Sequence, residues 1–78
     1  MAHDYDADAR ALADELRRTG YPTWADQLTD VIVGGATGSE IMMRLRWTLD
    51  QLTASEPALP AALLRRARRL RDAMDRAL

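Results

Sequence analysis

The sequence predicts an all-α protein, a compact bundle of four helices at about residues 6–18, 23–33, 39–53 and 60–77 in one domain spanning 1–78. Three observations carry this. Apolar residues recur at intervals of three and four, the period of a helix face. Ala, Leu, Arg, Asp and Glu dominate, with 14 Ala and no Phe, a composition that favours helix over sheet. Glycine and proline gather between the periodic stretches, where they end and start helices.

Each helix has its own signals. In the first, Tyr5, Ala9, Leu12 and Leu16 form one stripe. Asp4 or Asp6 can cap it, Arg17 and Arg18 suit its C-terminal dipole, and Gly20 stops it. The second opens at Pro22 or Thr23, since proline is tolerated where an N–H would go unpaired. Its apolar set is Trp24, Leu28, Val31 and Ile32. The third is the most apolar, and a wheel gathers Ile41, Met42, Leu45, Thr48, Leu49 and Leu52 on one face. The fourth repeats Leu63, Ala67, Leu70, Met74 and Ala77 at alternating steps of four and three. Between the last two lies a loop, 54–60, with two prolines and a serine.

The segment Val31-Ile-Val-Gly-Gly-Ala-Thr-Gly-Ser-Glu40 admits two interpretations. As a dinucleotide fingerprint it needs a free-standing strand, a third glycine in the right place and a βαβ unit. Ile41 stands where that glycine belongs, and no further strand pattern follows. No lysine follows Gly38, so it is not a phosphate loop either. As a helix junction it fits well. Gly34 or Gly35 suits a left-handed position beyond a helix end, and Thr37 with Glu40 has capping-box spacing. The expectation is a helix junction and no cofactor.

Composition excludes several other classes. With no Cys there is no disulfide, thiol nucleophile or cysteine metal site. Asp4, Asp6, Asp8 and Glu15 approach a calcium-loop spacing, but Ala9 replaces the turn glycine, so no metal is expected. His3, the single histidine, has no catalytic arrangement around it. No catalytic residue is assigned, and the protein reads as non-enzymatic. No apolar run spans a membrane and no signal peptide is visible, so a cytoplasmic location is expected.

Charge is segregated along the chain. Residues 1–30 carry net −4 and residues 61–78 net +4, within a total of −1. All 11 basic residues are arginine, a usage that reads mainly as the codon bias expected of a GC-rich bacterial genome and not as a selected preference for guanidinium. Arg65, Arg66, Arg68, Arg69 and Arg71 invite a nucleic-acid reading. The ordinary reading is a solvated helix face opposite the Leu63–Ala77 stripe, and nucleic acid is not the expected partner. A pI near 5.7 and the lack of interleaved aromatics argue against a dedicated binder.

The strongest candidate site is Met43 and Trp47 with Arg44 and Arg46 beside them. Met43 and Trp47 form an i,i+4 pair away from the apolar face of the third helix. Trp47 either packs under the fourth helix or presents a Trp/Met/Arg surface, the mix enriched at protein interfaces.

Gly20-Tyr-Pro-Thr-Trp-Ala-Asp-Gln-Leu28, with Gly34-Gly-Ala-Thr-Gly-Ser-Glu-Ile-Met-Met-Arg-Leu-Arg-Trp-Thr-Leu49, resembles a group of small, largely uncharacterised bacterial helical proteins. The resemblance covers roughly residues 12–52 and implies a helical fold and a bacterial origin, with no catalytic residues to carry over. The expected function is a protein–protein interaction or regulatory module. It includes neutralisation of a protein partner in the manner of an immunity protein or antitoxin, by analogy of size and charge. Self-association is a second form of the same reading. The alternative is a nucleic-acid-associated regulator using Arg65, Arg66, Arg68 and Arg69.

Overall fold

A computed structural model of the chain describes residues 5–34 and 38–78. It contains helices α1 (Tyr5–Arg18), α2 (Pro22–Val33), α3 (Gly38–Ser55) and α4 (Ala61–Ala77), and no strand among the described residues. The predicted four-helix architecture is the one observed. Boundaries differ by one or two residues. α1 and α2 begin one residue early, α3 extends from 38 to 55 instead of 39 to 53, and α4 begins after Pro60. His3, Asp4, Gly35 and Thr37, and with Thr37 the capping box, lie outside the described residues.

Ion pairs and hydrogen bonds reveal how the helices run. Arg46 of α3 pairs with Asp75 of α4, and Asp50 pairs with Arg71. A step of four forward on α3 is a step of four back on α4, so the two are antiparallel. Trp24, near the start of α2, donates its indole N–H to Glu56, just past the end of α3, at 3.2 Å. The Tyr5 hydroxyl at the start of α1 donates to the Ala73 carbonyl near the end of α4, at 3.5 Å. α1 packs on α2 and α4, and α3 packs on the same two helices. The result is a closed ring, α1–α2–α3–α4, each helix beside its chain neighbours. The radius of gyration, 11.5 Å, is that of a compact globule of this length.

The core is aliphatic. Leu12, Leu16, Leu28, Leu45, Leu49, Leu52 and Met74 are its largest fully buried side chains. Ala9, Ala13, Ala25 and Ala67 are fully or almost fully buried among them, and their small side chains let the helices approach closely. The stripes of the four helices therefore point inward as their spacing requires, with two departures. Ala77 is exposed, one turn beyond the last core layer. Leu59, between Pro57 and Pro60 in the α3–α4 loop, is buried and belongs to the core. Its backbone N–H donates to the Glu56 carbonyl at 3.2 Å, which folds the loop back. Thr48 is the one buried polar side chain among the described residues, and its hydroxyl donates to the Arg44 carbonyl at 2.8 Å.

Two glycines behave differently from one another. Gly20 has φ +96°, the left-handed region. Around it the Tyr21 N–H donates to the Leu16 carbonyl at 2.8 Å, the six-to-one bond of a Schellman cap. Gly34, one of the two glycines offered for the left-handed position beyond α2, is the C-cap residue and is right-handed, φ −69° and ψ 0°; the other, Gly35, lies outside the described residues. Gly38 opens α3 in free space, and an added Cβ meets nothing within 4 Å.

These environments set the sign of two substitutions. Gly20→Ala forces a Cβ into the left-handed region and destabilises by about 1–2 kcal/mol. Gly38→Ala removes backbone freedom from the unfolded chain and stabilises by about 0.4–1 kcal/mol. Thermal melts of the two variants should therefore move in opposite directions from the wild type.

Candidate interaction surface

The buried face of α3 carries Leu45, Thr48, Leu49 and Leu52. At 100° per residue, Arg46 and Asp50 fall on one flank of that face and Arg44 on the other. Arg46 and Asp50 reach α4, through Asp75 at 2.8 Å and Arg71 at 3.2 Å. α2 lies along the opposite flank. Met43 and Trp47 project outward between the flanks, one helical turn apart. α4 does not cover Trp47, because it docks on the Arg46 side. Trp47 is 61% exposed and Met43 53%.

The ground between α2 and α3 is an open groove of about 530 Å³. Gln27, Asp30 and Val31 form the α2 bank, and Met43, Arg44 and Trp47 the main part of the α3 bank. Arg46 and Thr48 also touch it. The four residues singled out from the sequence thus line one groove. Their states differ. Arg46 is half-buried and committed to Asp75, whereas Arg44 is exposed and forms no ion pair with a described residue. Gln27, Asp30 and Val31 were not singled out, because their position beside Trp47 depends on how two helices pack.

The two tryptophans show what an exposed indole lacks. Trp24 is partly buried against the core and its N–H is bonded to Glu56. Trp47 has no hydrogen-bond partner among the described residues. Aromatic side chains bury about 150–250 Å² when covered, so 61% exposure leaves on the order of 100 Å² open to water. At about 25 cal/mol per Å² that is roughly 2.5 kcal/mol of hydrophobic free energy left unrealised.

Arg65, Arg66, Arg68 and Arg69 are all exposed on α4 and form no ion pair with a described acid. Arg66 and Arg69 line a smaller groove, about 220 Å³, with Asp8, Leu12, Leu70 and Ala73 at the α1–α4 seam. Arg65 and Arg68 lie further round, away from α1. Arg71 is spoken for: it holds Asp72 at 3.0 Å and Asp50 at 3.2 Å. Asp72, and after it Asp50, push the Arg71 pKa above its ordinary value, against a smaller lowering from partial desolvation. Among the described residues no group of His, Cys, Asp or Glu is arranged to share a metal ion. No described helix is long and apolar enough to cross a membrane.

No protein-family model, curated protein or solved structure matches this chain.

The inter-helix pairs Arg17–Asp26, Arg46–Asp75 and Arg71–Asp50 are solvent-accessible. Exposed pairs contribute little each, about 0–1 kcal/mol, and salt screens them. Raising sodium chloride to about 0.5 M should lower the melting temperature by a few degrees at most. An unchanged or higher melting temperature would show that these pairs hold none of the ring together.

Proposed function

We propose that this protein is a non-enzymatic interaction or regulatory module that works through the α2/α3 groove. The observation that supports this is the exposure of Met43 and Trp47 as a pair over an open groove. A monomeric domain of this size gains by covering such a surface, and here no helix of the bundle does so. The residue types match those that dominate binding energy at protein interfaces: a tryptophan near the centre, a methionine that adapts its shape, and an arginine at the rim. Neutralisation of a protein partner is one role such a module performs.

The four free arginines of α4 favour a second reading, a nucleic-acid-associated regulator. The acidic half of the chain and the absence of aromatics among those arginines weigh against it. A titration of duplex DNA separates the two. Phosphate contacts would make affinity fall steeply with salt, and an absence of binding at low salt removes the second reading.

Trp47→Ala tests the first reading. Because Trp47 is mostly exposed, its truncation should leave helix content and melting temperature close to wild type. Association through the groove should weaken by about 2 kcal/mol or more, as a hot-spot truncation does. Pull-down with immobilised wild type and Trp47→Ala in parallel reads this out. A variant that unfolds, or one that retains every wild-type association, overturns the proposal.

A further inference from the structure

We infer that the occupant of the α2/α3 groove is a second copy of this chain, related by a two-fold axis running along the groove. This rests on the groove being an interaction surface, and adds the identity of the partner.

The rim is self-complementary in charge. Asp30 on the α2 bank and Arg44 on the α3 bank are both exposed, and neither forms an ion pair with a described residue. Arg46, the other cation at the groove, is already neutralised by Asp75. The free rim therefore carries one charge of each sign. A partner surface of a single sign would match one of them and repel the other. A second copy satisfies both. Rotation about an axis parallel to the helices lays α2 of each copy over α3 of the other. Asp30 of each copy then faces the Arg44 side of its partner, and two equivalent pairs form.

The same rotation matches the apolar parts. Met43 and Trp47 of one copy come down over Val31 and the aliphatic stem of Gln27 of the other. The open volume of about 530 Å³ receives the indole. Nothing in the overall charge opposes this, since the net charge is only −1.

The area is below that of a standard interface and fits a weak dimer. The 18 residues of α3 make a rod about 27 Å long. With α2 beside it at a spacing of about 8–10 Å, the face is roughly 20 Å wide. Its footprint is then about 500 Å² before surface relief, approaching the roughly 800 Å² per partner of a standard interface. The dimer is therefore a reversible one.

Sedimentation of the full chain from about micromolar to about millimolar concentration tests this. Wild type should pass from monomer to dimer with rising concentration. Asp30→Arg and Arg44→Asp each place like charges face to face and should weaken the dimer by about tenfold or more. Circular dichroism verifies that both variants keep their helices, which is expected because both positions are exposed. An equimolar mixture of the two variants should dimerise again, because the mixed pair sets opposite charges at both contacts. A wild type that stays monomeric throughout, or a mixture that sediments as the sum of its parts, overturns the inference. If wild type is monomeric while Trp47→Ala still abolishes binding to a different protein, self-association fails and the interaction surface stands. If Trp47→Ala alters neither, both fail.

Discussion

The helices of this protein, 12 to 18 residues long, are at or near the length where an isolated helix is marginal in water. They persist because all four bury stripes in one aliphatic core. Leu12 and Leu16 from α1, Leu28 from α2, Leu45, Leu49 and Leu52 from α3 and Met74 from α4 meet there. With no phenylalanine available, the core gains its density from leucine against alanine, large side chains set beside small ones. Leu59 closes one end from the loop. A domain of this size has little stability to spare, so each shared layer matters to every helix.

The ring arrangement then decides what remains outside. A helix in a four-membered ring touches two neighbours and the core, and its outermost strip faces water. On α1, α2 and α4 that strip is mainly charged or polar, as a solvated face should be. On α3 it carries Met43 and Trp47. The flanks of α3 are used in different ways: Arg46 and Asp50 tie it to α4 by ion pairs, while the Arg44 side opens onto the groove beside α2. The same helix thus holds the bundle together and bears its most exposed aromatic.

Much of the candidate surface was legible in the chain. Met43 and Trp47 are four apart and out of phase with Ile41, Leu45 and Leu49, so any straight helix sends them away from the core. Whether α4 would cover Trp47 was not legible, since that depends on which flank of α3 the fourth helix chooses. Arg46–Asp75 and Asp50–Arg71, pairs 29 and 21 residues apart in the chain, mark the flank on which it docks. The α2 bank was hidden for the same reason. Gln27, Asp30 and Val31 carry no local signal that sets them beside Trp47. Asp26 and Trp24, nearby on the same helix, have other partners in Arg17 and Glu56.

By itself the sequence determined the number, order and approximate limits of the helices, and the inward face of each. Those properties depend on spacing, capping and turn residues, which act over a few positions; Gly20 and its left-handed cap are an example. The tertiary structure alone decided that Leu59 is core and that Trp47 stands over a groove. Each of those depends on residues distant in the chain meeting in space, and side-chain packing and ion pairing across helices are set by the closed ring as a whole.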